Sequence, residues 1–301
     1  MVSRSPWNWR VVVGSLAYPL LLLGGVTVTG LALESGVSPF LGITFVLTAA
    51  AFMVWGLEFL LPYRLDWRPR WRRFGLDLIH TLLSSGGTSK LVEITLIAWV
   101  VSASGELDGS AIWPGHLPLA LQFVIAILVA EFGAYWVHRF CHGTSLGWRI
   151  HLVHHTAPSL HFLASGRTHP LNTVLVFGAQ ALFLSLAGAG GTVLAMVSVF
   201  TSINGFLQHA NADLRPGALN LVVSTSDFHR WHHSAQLEES NTNFGNNLIV
   251  WDRVFGTVFL PSGQRDVEQV GLSDMDVPES YGAHLLAPFR DFEPSARGEH
   301  G

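Results

Sequence analysis

The chain has 301 residues, 49% of them hydrophobic and only 13% charged, with a formal net charge of -4 when histidines are neutral. That balance departs from the soluble average toward a membrane protein, and with no run of lysines and no basic excess it offers nucleic acid no surface. The single cysteine, Cys141, excludes an internal disulfide, a CxxC redox pair and an iron–sulfur cluster ligated by the cysteines of one chain, so any electrons must come from elsewhere.

Arg4 and Arg10 precede an apolar stretch from Val11 to about Leu33, too long for a signal-peptide core and expected to remain as a spanning helix. A turn over Glu34 to Pro39 leads to a second apolar stretch, Phe40 to Leu61. The next loop carries Arg64, Arg68, Arg70, Arg72 and Arg73 with tryptophans between them, a headgroup-level composition that the positive-inside rule makes cytoplasmic, as is the N-terminus. Residues 76–101 read as a third span, kinked or partly packed inside because of Gly86, Gly87, Lys90 and Glu93. Loop 102–116 has Glu106 and Asp108 but no Lys or Arg, as expected outside. A fourth span from about Leu117 to Val137 brings the chain back.

Residues 171–207 are again apolar, broken at Gly188 to Gly191, and two antiparallel helices suit them because the histidines on either side then meet. The tail from about Gly263, rich in Pro, Gly, Asp and Glu, is expected to wrap the surface or to be partly disordered. The expected architecture is therefore all-α and multi-pass: about four transmembrane helices plus a short re-entrant helical hairpin, with a cytosolic histidine-rich cap. It forms a single membrane-embedded domain with a base at 1–137, a histidine-rich part at 138–262 and a tail at 263–301.

The chemistry is concentrated between residues 138 and 233. His138 and His142 are four apart, and His151, His154 and His155 follow the helical i, i+3, i+4 pattern, which returns at His229, His232 and His233. Each set is expected to line one face of a helix. Eight imidazoles exceed what one four-coordinate ion needs, so two metal ions are the natural reading. His209 is expected to re-enter the same site as a ninth ligand. His169 can be a ligand, an outer donor or a helix-start residue fixed by Pro170; His161 is expected outside the ligand set. His80 and His116 read as hydrogen-bonded core residues, His284 and His300 as solvated, and Cys141 as a small buried side chain.

Two divalent ions in neutral imidazole carry about four positive charges, which nearby acids should offset. Glu131, Tyr135, His138 and His142 form one helical stripe, so Glu131 and Tyr135 are candidates for the layer around the ligands, with Asp227 and Asp213 as further ones. Asp252 is expected to pair with Arg253 or cap a local turn. Imidazole suits zinc, copper, iron and nickel alike. A multi-histidine dinuclear site beside the bilayer, with no HExxH stretch and no nucleophilic serine motif, suits oxygen chemistry on an apolar substrate, which favours iron.

HRFCH, WRIHLVHH, RTHP, QHAN, DFHRWHH and NFGNNLIVWDRVFGT, in that order, resemble the sterol desaturase and fatty acid hydroxylase superfamily, from about Glu131 to Leu260. The resemblance implies a four-helix membrane base under a cytosolic histidine-rich part, a di-iron centre, and oxygen-dependent hydroxylation or desaturation of a lipid. It gives ligand roles to His138, His142, His151, His154, His155, His229, His232 and His233, with His209 similar to a further family histidine, and makes Asn243 and Gly245 part of a loop near the site. Many members carry an acid where this chain has Asn172 and a proline where it has Ser226; neither position is expected to touch a ligand.

What this implies is reductive activation of O2, abstraction of a hydrogen atom from a lipid C–H bond, then hydroxyl return or a second abstraction. The chain has no dinucleotide-binding GxGxxG unit, so an external donor of the cytochrome b5 or ferredoxin kind is implied. Two other readings share the ligands: a membrane zinc-dependent hydrolase, and a non-enzymatic metal-binding membrane protein. Zinc can also take these ligands in a purified or substituted form.

Overall fold

Among the described residues, the patterned histidines gather where several long apolar helices end. The computed structural model describes residues 8–103, 112–262, 266–272 and 275–291, with the side chains of 97–103 excepted. Arg4, Glu106, Asp108 and His300 lie outside the described residues.

Helix α1, Trp9–Glu34, opens where the Asn8 side chain accepts from the Arg10 N–H, and α2, Pro39–Leu60, opens on a proline, which loses no hydrogen bond at that position. The expected third span is divided: α3, Trp71–Ile79, passes through a wide π turn, His80–Gly87, into α4, Thr88–Ala103. The turn falls on the expected Gly86 and Gly87, whereas Lys90 and Glu93 pair with each other on the exposed side at 2.9 Å. Helix α5 is Leu119–Gly143 and α6 is Ser145–His155, started by the Thr144 side chain accepting from the Gly147 N–H. The hairpin expected over 171–207 is α7, Pro170–Ala187, and α8, Gly191–His209. Gly188 ends α7 at φ 84°, a left-handed conformation that glycine adopts without steric cost. Short helices follow: α9, Ser226–His232, α10, Leu237–Ser240, α11, Val250–Phe255, and α12, Tyr281–Leu286.

Five of these helices, α1, α2, α5, α7 and α8, are long and apolar enough to cross a membrane. Both arms of the hairpin are among them. At about 1.5 Å per residue an eighteen-residue helix reaches ~27 Å, close to the thickness of a bilayer core. Their outer faces leave Leu20, Phe40, Phe45 and Phe52 exposed, as contact with lipid requires. Between helices in lipid, association depends on close packing. α1 packs on α8 through Tyr18, Leu22, Val199 and Ile203, and α5 packs on α7. At Gly133 a Cβ would stand 3.0 Å from the Ala179 carbonyl oxygen.

The tail is a wrap over the polar end. Val267 and Val270 are buried with Trp67, Leu160 and Trp231, and Val277 and Ala287 with Leu152 and Val153 of α6. That packing overturns one expectation: His284 is fully buried, with its Nδ1 2.9 Å from His80 Nε2. His80 is the buried, hydrogen-bonded residue expected, but His116 is exposed, because it lies in the turn before α5 and not on a packed face.

Candidate metal centre

The nine patterned histidines converge as two neighbouring clusters. His138 and His142 from α5, His151 and His155 from α6 and His232 from α9 bring one ligand atom each within 4.8 Å of one another; His154, His209, His229 and His233 do the same in a second group. The groups touch, with ring centroids 5.2 Å apart between His151 and His154 and 4.7 Å between His155 and His233.

Each HxxHH segment is shared between them. Residues four apart on a helix point almost the same way, so His151 and His155 serve one cluster, and His229 and His233 the other. A neighbouring residue is turned by about 100°, which sends His154 and His232 across. The expectation that each set lines one face holds in its periodicity, but that face is wide enough to supply two centres.

Hydrogen bonds behind the rings decide which nitrogen points inward. The Nδ1–H of His138 donates to the Phe244 carbonyl at 2.8 Å, that of His232 to Thr242 at 2.9 Å, that of His154 to Arg167 at 3.1 Å and that of His209 to Gly205 at 2.9 Å. His151 Nδ1–H donates to Asn172 Oδ1 at 3.1 Å. A carbonyl only accepts, so the proton sits on Nδ1 and the Nε2 lone pair is left free.

The Nε2 atoms of the clustered rings face one another. Nε2 atoms are 3.1 Å apart between His138 and His151, 3.1 Å between His209 and His229, 3.0 Å between His229 and His233 and 3.4 Å between His154 and His209. Nε2 of His142, His155 and His232 and Nδ1 of His229 and His233 are buried without a hydrogen-bond partner. An unsatisfied buried polar group costs about 1–3 kcal/mol, and a cation would gather Nε2 of His142, His155 and His232 together with the neighbouring Nε2 atoms, while Nδ1 of His229 and His233 faces away from the contact. Burial pushes His154 down to about 4 and holds His151, His155, His229, His232 and His233 well below the usual imidazole range, so these rings are neutral at pH 7. The residues fit a pair of metal ions.

The acids are not where charge balance alone put them. Glu131 accepts from the Asn247 N–H and Nδ2, Tyr135 pairs with the Thr257 hydroxyl at 3.0 Å, Asp227 accepts from Asn220 and Asp213 from Arg215. None of them bonds to a clustered histidine among the described residues; backbone carbonyls and Asn172 take that place, because they approach the rings without adding buried charge. Asn172 therefore does touch a candidate ligand, against expectation, and Cys141 is buried with its Sγ 3.8 Å from the same amide oxygen. Ser226 starts α9, where a proline is also tolerated. Asp252 does not pair with Arg253, which donates to the Asn220 carbonyl; it accepts from the N–H groups of Phe244 and Gly245. His169 joins neither cluster. Its Nδ1 accepts from the Leu171 N–H at the start of α7, the third of the roles open to it. His161 is bonded to Asp77, outside both clusters as expected.

Sequence comparison agrees with this geometry. A family model described as fatty acid hydroxylase matches residues 123–257, a stretch that contains every histidine of both clusters. Over 294 residues, 96% of this chain and 88% of its relative, the sequence is 32% identical to an ornithine lipid hydroxylase of Rhizobium tropici. The chain belongs to the fatty acid hydroxylase family. As a fatty acid hydroxylase family member with five apolar helices of spanning length, it is an integral membrane protein. It is 29% identical over 213 residues to an alkylglycerol monooxygenase of Homo sapiens, covering 67% of this chain and 44% of that one. It is 24% identical over 200 residues to a very-long-chain aldehyde decarbonylase of Oryza sativa subsp. japonica, covering 65% of this chain and 76% of that one. No solved structure matches it.

Proposed function

We propose that this fatty acid hydroxylase family member is a membrane di-iron oxidoreductase that uses O2 and an external electron donor to hydroxylate or desaturate a lipid. The observation that carries the reading is the pair of adjoining, buried, all-imidazole clusters at one end of the apolar helices. The five-histidine group would hold one ion through His138, His142, His151, His155 and His232, and the four-histidine group the other through His154, His209, His229 and His233. Bound there, iron supplies the reductive activation of O2 needed to attack an unactivated C–H bond.

The chain's own residues do the rest. The Nδ1 bonds to fixed carbonyls hold His138, His154, His209 and His232, and the bond to Asn172 holds His151, in the tautomer that donates through Nε2, and burial of the clusters keeps bulk water from competing with the substrate. Hydroxylation consumes the C–H compound, O2, two electrons and two protons and yields the alcohol and water. The chain holds no second redox group in its sequence, so the electrons come from a separate carrier of the cytochrome b5 or ferredoxin kind.

A cytoplasmic site is supported by the arginine-rich loop, which is bound to the same end of the bundle as the clusters. The Tyr63 N–H donates to the Asn211 carbonyl, two residues after His209, and the Arg230 guanidinium lies 3.7 Å above the Tyr63 ring. The near full-length likeness to an ornithine lipid hydroxylase makes an amino-acid-bearing membrane lipid the first substrate to test, and the alkylglycerol monooxygenases make an ether lipid the second.

The test is lipid profiling of cells expressing the wild type or His154→Ala, with and without O2. Wild type should add one oxygen atom to a lipid, or remove two hydrogens, only when O2 is present, and the variant should not. Product formed without O2 by a zinc-loaded protein would support the hydrolase reading instead.

A further inference from the structure

The two clusters are oriented by different parts of the chain. In the four-histidine group, His154 donates to Arg167, and His209 donates to Gly205 within α8 itself. In the five-histidine group, His138 and His232 donate to the Phe244 and Thr242 carbonyls, both in one loop. Among the described residues that loop makes no hydrogen bond to the four-histidine group.

Each of these carbonyls shares a rigid peptide plane with the N–H of the next residue, pointing the opposite way. Behind the Phe244 carbonyl is the Gly245 N–H, which donates to Asp252 Oδ2 at 2.7 Å. Behind the Thr242 carbonyl is the Asn243 N–H, which donates to the Thr257 carbonyl at 2.9 Å, while the Thr257 hydroxyl donates to Asp252 Oδ1 at 2.6 Å. Asp252 also takes the Phe244 N–H at 2.7 Å. Asn243 is held at φ 53°, a left-handed conformation, by its own amide, which bonds to Phe228 and Phe259. From α5, Glu131 Oε1 accepts the Asn247 N–H at 2.7 Å and Oε2 accepts Asn247 Nδ2 at 2.9 Å, bracing the far side of the loop.

We propose that Asp252 is a positioning residue for the five-histidine centre and not for the other, acting on His138 through the Phe244–Gly245 peptide, with Glu131 as the brace of the same loop. A carboxylate on the N–H side of a peptide draws that plane into register and makes its carbonyl a stronger acceptor for the imidazole N–H. The anion thus supports a ligand without entering the cluster. Outer partners of metal ligands are typically worth about 10–100-fold in metal affinity, and that is the size expected here.

The inference rests on the metal reading above. The test is Co(II) titration of the metal-free, full-length protein in detergent, comparing the wild type with Asp252→Asn and Glu131→Gln. His155→Ala and His233→Ala serve as references that mark the absorption of each centre, and thermal unfolding of every metal-free variant is recorded alongside. Asp252→Asn should weaken about 10–100-fold the binding event that His155→Ala abolishes and leave the event that His233→Ala abolishes unchanged; Glu131→Gln should act at the same centre with a smaller loss. Equal weakening of both events, or weakening only of the His233-dependent one, overturns the inference, as does Asp252→Asn binding both ions like wild type. Wild type that takes up fewer than two ions per chain overturns the metal reading itself, and this inference with it.

Discussion

Two buried polar regions at the same end of the bundle meet the cost of burial in opposite ways. Around Asp77, His161 and Arg167 each take one carboxylate oxygen, at 2.7 and 2.5 Å, with all three side chains fully buried. Charge is balanced there by the chain itself. In the histidine clusters, nine rings meet with no carboxylate among them and with several nitrogens unpartnered. The difference teaches that a buried histidine is not in itself a ligand: His161 is as deeply buried as His232, yet its Nε2 is already taken. What marks a metal site is a convergence of free lone pairs without an acidic partner. Arg167 belongs to both regions, its guanidinium completing one and its carbonyl receiving the His154 N–H of the other.

The comparison breaks most visibly at the rings. His232→Ala should abolish product formation and lower bound metal, whereas His161→Ala should leave the metal content of the folded protein at the wild-type level; metal analysis of the two purified variants decides it. Next in size is Arg167→Met. It strands the Asp77 carboxylate with one partner fewer and should cost about 3–5 kcal/mol in denaturant unfolding. Its backbone carbonyl stays, so the folded fraction should keep its metal; metal loss with unchanged stability would contradict the separation of the two regions.

Asn172 sharpens the same contrast at lower amplitude. Asn172→Ala removes the acceptor of His151 and should weaken metal binding about 10–100-fold, while Asn172→Asp, which supplies a charged acceptor at the same atom, should tighten it; competition with a chelator reads both. The smallest effect belongs to the surface. Arg73→Ala removes a half-exposed ion pair with Glu279 and should change stability by about 0–1 kcal/mol, with metal content unmoved.

Much of this was readable from the sequence because it depends on local periodicity. The helical histidine spacing, the break at Gly188, the kink around Gly86 and the arginine loop all follow from neighbours in the chain, whereas the π form of that kink does not. The division of each HxxHH segment between two centres was also latent in helix geometry, since His154 and His155 cannot point the same way. The rest depends on contacts distant in sequence. Backbone carbonyls such as those of Arg167 and Phe244 carry no residue-type signal, and the Asp77 cluster joins residues from α3 and the segment before α7. His284 reads as solvated from the sequence because the polar tail around it gives no sign that Val277 and Ala287 pack down over α6. Asn172 carries no sequence sign of touching a ligand because only the packing of α7 on α5 and α6 shows which ring it meets.

The most direct measurement is metal stoichiometry of the purified full-length protein, reconstituted with Fe(II) under anaerobic conditions, combined with X-ray absorption at the iron edge. The account predicts two ions per chain in shells dominated by imidazole nitrogen. One ion or none, or a shell made mainly of carboxylate oxygen, would contradict it.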